Sequence, residues 1–559
     1  MSVYNAEVDY DLAEIDLLSL IFDSPEVMAT DDTILHAEAA RPDNNLTKAQ
    51  MRRLTRRVAH ILRHVYGIGA SGPGKDVVVC ILSGQVLLPA VFYGTIAAGG
   101  VYSAASSALT ATELLRQIRD GGAALLVAST DCCDVAYRAA EQAGLPRDRV
   151  LMIESTGEKR MLLSHQGVDL LAETVDELSW ERIRDPRELS GRTICLVYSS
   201  GTTGHPKGVK ITHKGMVSYA LVVRYAFRDW QARQRAKDPS HSFEYRTLAH
   251  VPAAHIAGIQ GFFVHPVVHG GTVYWMPKFD FAKFLELNAS LRITTFFSVP
   301  PIYLAIAHSP LVKNQFATLH HALSGAAPMS AELTRRVEAK LGCPVMQVYG
   351  LSETTGAVTM QPWDEETDKA GISALQPNTR VRLLDDDERD VPDGSPGELV
   401  SQSDGVTTGY WKNPQATAEA FTKCGRWFKT GDVAVRRDKK FYLVDRKKEL
   451  IKYKGLQVAP AEIEAHLLSH PDILDAAVIG VADPQSAENE VPRAYVVADA
   501  SRISAADIKS WVKSSLASHK QLRGGVVFIK AIPKSATGKI LRRQLRDLAV
   551  RENSFSVKL

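Results

Sequence analysis

The sequence predicts an α/β protein of more than one domain, with largely parallel sheets. Three observations predict it. The chain has 559 residues, too many for one compact core. Short apolar runs that read as strands alternate with amphipathic segments, and that alternation favours parallel sheets covered by helices. The runs are VVVCIL at 77–82, AALLVAS at 123–129 and TICLVYS at 193–199; LTKAQMRRLTRRVAHILRHV at 46–65 has helical spacing with charge on one face. Finally, the composition changes late in the chain. DDDERD at 385–390 and the VPDGSPGE after it read as turn and loop. DRKKELIKYKG at 445–455 reads as a charged connection between domains, and VAPAEIEAHLLSH then opens a helix with Pro460 near its start. Roughly the last hundred residues thus read as a small separate domain.

Composition excludes several classes of function. The chain is 45% hydrophobic and 23% charged, as ordinary globular proteins are. Lys and Arg total 66 against 63 Asp and Glu; a net charge of +3 gives no reason to expect nucleic acid or an anionic membrane as partner. The six cysteines, at 80, 132, 133, 195, 343 and 424, form no Cys-x-x-Cys pair and read as reduced thiols of an intracellular protein. The amino terminus, MSVYNAEVDYDLAEID, is acidic and has no secretion-signal pattern. The uncharged stretch from Val77 to Thr112 is broken by Pro89, Gly94, Gly99 and Gly100. It reads as a buried strand, a packed helix and a second strand rather than a membrane span.

The most informative segment is YSSGTTGHPKGVKITH, from Tyr198 to His213, directly after the strand-like TICLV. Ser199, Ser200, Thr202 and Thr203 crowd hydroxyls together, and Gly201, Gly204 and Gly208 allow close backbone approach to a ligand. Lys207 adds a positive charge. Amides, hydroxyls and a lysine suit a polyphosphate. The order differs from a P-loop, since proline precedes the lysine and glycine follows it. Composition alone favours a plain surface loop; the ordered string does not. It resembles the signature loop of the adenylate-forming superfamily of acyl-CoA synthetases, coumarate-CoA ligases, luciferases and peptide-synthetase adenylation domains, closest to the acyl-CoA and aryl-CoA ligases.

That resemblance implies further motifs, and they follow in order. QVYGLSETTG runs from Gln347 to Gly356; by resemblance Gln347, Tyr349, Gly350 and Ser352 line the nucleotide site, Tyr349 stacks on adenine and Glu353 holds magnesium with the ATP phosphates. Ser352 stands where the family has threonine and keeps the hydroxyl. Thr430-Gly431-Asp432 matches the ribose motif, where a carboxylate accepts hydroxyl protons. In VDRKKELIKYKGLQVAPAEIE, Arg446 matches the ribose contact and Lys448 the pivot, while Lys452, Lys454, Gly455 and Gln457 match positions near acyl-adenylate or coenzyme A. PKSATGKILRR contains Lys539, the counterpart of the catalytic lysine. An ammonium there offsets the repulsion between an attacking carboxylate and the α-phosphate. Each fragment alone reads as a common turn or a solvated charge; their order carries the resemblance, which spans the whole chain and is weakest before about residue 75.

The resemblance also implies an acid pocket. His255, in LAHVPAAHIAGIQG, matches a residue gating it, and Gly325 and Ala326 in HALSGAAPMS resemble its walls. Lys278 matches a lysine near coenzyme A. Ala257 and Gly261 stand where coumarate-CoA ligases carry tyrosine and serine, and Val348 replaces a glycine. One wall is enlarged and loses hydroxyls; another narrows. An apolar aliphatic or small aryl-alkyl acid therefore fits better than a hydroxycinnamate.

The implied architecture is a large multi-subdomain adenylation domain, 1–447, with mostly parallel sheets, and a small mobile α+β domain, 448–559. The implied reaction uses ATP, Mg2+ and coenzyme A. The carboxylic acid becomes an acyl-adenylate, and coenzyme A then takes the acyl group after rotation of the small domain. Two alternatives stand beside it: an adenylating enzyme that loads a carrier protein, and a silent nucleotide-binding homologue. No carrier domain follows Lys539, and the retained Lys539, Glu353, Asp432 and Arg446 argue against a silent fold. The expected location is cytoplasmic. The peroxisome is an alternative, because Val557-Lys558-Leu559 differs by one residue from the Ser-Lys-Leu address.

Overall fold

The computed structural model describes residues 2–157, 159–199, 206–361, 374–454, 456–483, 486–535 and 538–556. Strands and helices alternate as the apolar runs predict. Val77–Leu82, Ala123–Ser129 and Thr193–Ser199 are strands of one seven-stranded sheet. Its order is Lys207–Thr212, Thr193–Ser199, Val101–Ser106, Val77–Leu82, Ala123–Ser129, Val150–Glu154, Met161–Leu163, with only the two edge pairings antiparallel. Every residue of Val77–Leu82 is buried, as expected of a central parallel strand covered on both faces. The uncharged stretch after it forms the helix Leu88–Ala97 and the strand Val101–Ser106. Among the described residues no helix is long and apolar enough to cross a membrane.

The amphipathic segment at 46–65 is shorter as an α-helix than its periodicity suggests. Thr47 closes a capping box with Gln50, so the helix is Lys48–His60; Ile61–Val65 continues as a π-helix. Two four-stranded sheets, each with two parallel pairings and one antiparallel, complete the parallel part.

One sheet departs from the expectation. Tyr4–Asn5, Arg380–Leu384, Gly397–Gln402, Phe428–Arg437 and Lys440–Arg446 form a wholly antiparallel five-stranded sheet. The polar stretch at 385–396 is the connection between two of its strands, the turn and loop that its composition predicts.

After Arg446 the chain builds separate cores. One gathers Ile451, Ile463, Leu467, Val478 and Val496; another gathers Ile479, Tyr495, Ile532 and Leu545. Their frame is the antiparallel pair Ile473–Asp483 and Ser486–Ala498, joined in parallel by Gly525–Phe528 and flanked by the helices Pro460–Leu468, Ala505–Ser515 and Arg542–Ser556.

Candidate active site

A cavity of about 1860 Å³ opens where the sheets of the large part meet the carboxyl-terminal part. Its lining draws on Ser199, Lys207, His255, Gly325, Glu353, Tyr410, Arg446 and Lys539, from elements spread over 340 residues of sequence.

Ser199 ends the strand Thr193–Ser199, and Lys207, its register partner, opens the antiparallel strand Lys207–Thr212. Ser200, Gly201, Thr202, Thr203 and Gly204 lie outside the described residues. The segment 407–411 runs beside this hairpin: the Trp411 amide donates to the Gly208 carbonyl at 2.7 Å, and the Lys210 amide to Gly409 at 3.1 Å. This places the Tyr410 ring under Lys207, whose Nζ is 5.0 Å from the ring centroid. The Tyr410 hydroxyl donates to Glu353 Oε1 at 2.9 Å. Tyr410 thus ties the lysine of the loop to the buried glutamate. No ordered motif points to it; its signal in the sequence is the aromatic pair in TTGYW.

Glu353 sits on a short 3-10 turn, Ser352–Thr354, between the strands Val345–Leu351 and Gly356–Met360. The turn is anchored where the Thr407 amide donates to the Glu353 carbonyl (2.7 Å) and Thr355 Oγ1 donates to the Gly405 carbonyl (2.6 Å). Gly350 is required by close approach, since a Cβ there would lie 2.1 Å from the Gly356 carbonyl oxygen. Only one Glu353 oxygen is engaged among the described residues, and no group of three or more potential ligands exists among them. A magnesium ion fits this arrangement as one carboxylate completed by substrate phosphates and water, a usual mode for that ion.

Asp432 and Arg446 face each other across the strands Phe428–Arg437 and Lys440–Arg446. Arg446 Nε is 2.7 Å from Asp432 Oδ1, and the Tyr349 hydroxyl donates to Oδ2 at 2.7 Å. Burial raises the Asp432 carboxyl, with Arg446 opposing the shift. Arg446, Gly350 and Ser352 line the cavity; Tyr349 and Asp432 are buried and, like the half-buried Gln347, do not line it. Gln347 Oε1 accepts instead from the Met329 amide at 3.4 Å.

Lys539 reaches the cavity from a tight hairpin. Lys534 bridges Ile540, the Ser535 amide donates to the Lys539 carbonyl at 2.8 Å, and Lys534 is paired with Asp475 at 2.6 Å. The hairpin is seated on the large part: a Cβ on Gly538 would lie 2.7 Å from the Pro301 ring. Burial, then the Arg446 charge, push the Lys539 ammonium down to about 8, with Asp432 opposing. Lys448, Lys452 and Gln457 also line the cavity, whereas Lys454 and Lys278 are exposed outside it; Gly455 lies outside the described residues.

The remaining wall belongs to the expected acid pocket. His255, Ala257, Gly261, Gly325, Ala326 and Val348 all line the cavity. His255 caps the turn that follows, its Nδ1 accepting from the Ala257 amide at 3.3 Å, and burial pushes it down to about 4. Nothing lies within 4 Å of a Cβ built on Gly261, so the space left by the missing side chain is real. Tyr219, Tyr245, Gln260, Phe297, His265 and His269 complete this wall. None of them is marked by a motif in the sequence.

A family model described as AMP-binding enzyme matches residues 25–411, and one described as AMP-binding enzyme C-terminal domain matches 462–539. The chain therefore belongs to the AMP-binding enzyme family, and with it to the AMP-forming acid–thiol ligases. It is 52% identical over 547 residues to a putative acyl-coenzyme A synthetase of Emericella nidulans, covering 98% of each chain. It is 34% identical over 540 residues to a 4-coumarate–CoA ligase-like protein of Oryza sativa, covering 94% of this chain and 91% of that one. Its fold matches ATP-bound MatB of Rhodopseudomonas palustris with a TM-score of 0.80 and 25% identity, over 95% of this chain and 98% of that one.

Proposed function

We propose that this AMP-forming acid:coenzyme A ligase works through two half-reactions served by one cavity, with Lys539 acting in the first only. The observation that carries the reading is the convergence of Lys207, Glu353, Arg446 and Lys539 on a single cavity that continues into a mostly apolar pocket.

ATP lies with its phosphates along Ser199–Lys207 and its ribose beside Arg446 and Asp432. The Asp432 oxygens keep free lone pairs for ribose hydroxyls beyond the Tyr349 and Arg446 contacts. Adenine packs along the Tyr349–Gly350 backbone. Glu353 would hold magnesium, which would supply charge neutralisation to the phosphate oxygens. The acid enters past His255 with its carboxylate toward Lys539. A carboxylate oxygen attacks the α-phosphorus, the bond to the β-phosphate oxygen breaks, and pyrophosphate leaves. The Lys539 ammonium offsets the charge gathered on the α-phosphoryl oxygens.

In the second half-reaction the coenzyme A sulfur attacks the acyl carbon, the thiol proton passes to solvent, and AMP leaves with the electrons of the broken C–O bond. We assign the pivot to Lys448, between a large domain of 1–447 and a small domain of 448–559. Rotation withdraws Lys539 and brings the face of Lys452, Lys454, Gly455 and Gln457 to the adenylate. Lys278 is proposed to meet coenzyme A only in that second arrangement, which agrees with its exposure outside the cavity here. The proposed location is the cytoplasm, with the peroxisome as alternative; Val557-Lys558-Leu559 lies outside the described residues.

Pyrophosphate release with ATP and magnesium, measured across aliphatic and aryl-alkyl acids with and without coenzyme A, tests the reading. Acid-dependent release that rises with coenzyme A, together with acyl-CoA by mass spectrometry, is the expected result. Release without acyl-CoA moves the protein to carrier loading.

A further inference from the structure

The strand Lys207–Thr212 serves two cavities. Lys207 lines the active cavity, and Lys210 lines a separate cleft of about 720 Å³. The other walls of this cleft come from residues 73–75, 191–193 and 410–412. Tyr410 alone lines both, so an occupant of the cleft would touch the residue that joins Glu353 to Lys207. No motif of the sequence accounts for the cleft.

Its charge is one-sided. Lys75, Lys210, Lys412 and Arg192 line it, against one carboxylate, Glu188, among the described residues. Glu188 is paired with Arg192, which also meets Glu181 at 2.8 Å, so these charges cancel. The three lysines are in no ion pair among the described residues. Lys75 Nζ donates to the Ser71 carbonyl at 2.8 Å, and Lys412 Nζ to the Gly121 carbonyl at 3.2 Å. An ammonium has three donors, so each of these keeps two to spare. Lys210 Nζ has no partner among the described residues. Burial alone holds that ammonium below the usual lysine value, because charge is drawn from water with no counter-charge beside it. Such an arrangement costs free energy unless an anion completes it. The cleft also has room, since nothing lies within 4 Å of a Cβ built on Gly191.

We propose that this cleft is a second anion site, in which Lys75, Lys210 and Lys412 together hold a compact phosphoryl anion, either free or at the end of a nucleotide. It goes beyond the ligase reading and does not depend on the acid. Phosphoryl oxygens only accept, and several of them can meet several ammonium donors at once. A single carboxylate has fewer oxygens to share among the three lysines.

Equilibrium dialysis of labelled pyrophosphate, without acid or coenzyme A, tests the site. Salt is kept at about 0.15 M, where loose surface attraction is screened beyond about 8 Å. Lys207→Met weakens binding in the active cavity and leaves the cleft intact. We expect one equivalent to survive in that variant. Adding Lys210→Met or Lys75→Met to it should weaken this equivalent by about tenfold or more, as when a bond to a charged group is lost. Lys75 is exposed, so its variant serves if Lys210→Met does not fold. As single substitutions, both should keep the thermal shift produced by ATP, which reports a folded chain with an intact active cavity. Displacement of the surviving equivalent by unlabelled pyrophosphate or by ADP, whichever acts at the lower concentration, assigns the free anion or the nucleotide. No equivalent surviving Lys207→Met, or one that both folded lysine variants leave unchanged, overturns the inference and leaves the ligase reading standing.

Discussion

At the scale of the residue, the site is a set of charges held by tyrosine hydroxyls and by opposite charges. Lys539 titrates within reach of ordinary conditions because burial and Arg446 lower it to about 8 from the usual lysine value. The lowered group is the protonated, useful form, so it is present below about pH 8 and lost above. We expect kcat/KM for ATP, which reports the free enzyme, to fall as pH rises through about 8. Lys539→Arg, which stays charged, should flatten that limb at a lower plateau. Tyr410 is a positioning residue acting through Glu353 and Lys207. Tyr410→Phe keeps the ring under Lys207 but removes the bond to Glu353 Oε1. One lost bond to a charged group, about 1.5–3 kcal/mol, predicts a rise of roughly tenfold or more in KM for magnesium-ATP, with kcat changed less. Steady-state titration of magnesium at fixed ATP checks it. The charged residues were legible in the sequence because each stands in an ordered string. Tyr410 was not, because its partners are 57 and 203 positions away and only packing unites them. His265 and His269 were hidden for a similar reason, as a histidine in an apolar helix looks the same whether it faces core or cavity.

At the scale of the element, hairpins place the chemistry. Ser199 and Lys207 are register partners, Asp432 and Arg446 are register partners, and Glu353 sits on the turn between two strands. The glycines set how closely these strands approach. In Gly350→Ala a methyl would meet the Gly356 carbonyl, and neither backbone can retreat without opening the hairpin. Overpacking of this kind costs about 1–3 kcal/mol, so we expect a melting temperature lower by a few degrees and weakened ATP binding. Calorimetry with and without ATP checks both. Individual strands were readable from their apolar runs, and the start of the helix Pro460–Leu468 from its proline. The antiparallel sheet was not. Tyr4–Asn5 joins Arg380–Leu384 across more than 370 positions, and no local pattern announces such a pairing.

At the scale of the whole molecule, the two proposed half-reactions require two arrangements of one small domain. Its own cores, around Ile463 and Tyr495, are what such a motion would carry as a unit. In the proposed cycle, the close approach of Gly538 to Pro301 and the charge of Lys539 beside Asp432 and Arg446 would belong to the arrangement for adenylation. The order of motifs made both parts legible in the sequence, but not which arrangement the chain adopts, because that depends on contacts between surfaces.

The most direct measurement separates the half-reactions in Lys539→Ala, using the acid that supports pyrophosphate release. The account predicts that acyl-adenylate formation from ATP falls by about a hundredfold or more, as when a transition-state donor is removed. Conversion of supplied acyl-adenylate to acyl-CoA should stay within a few-fold of the unsubstituted enzyme. Equal loss in both steps would contradict the claim that Lys539 serves adenylation alone.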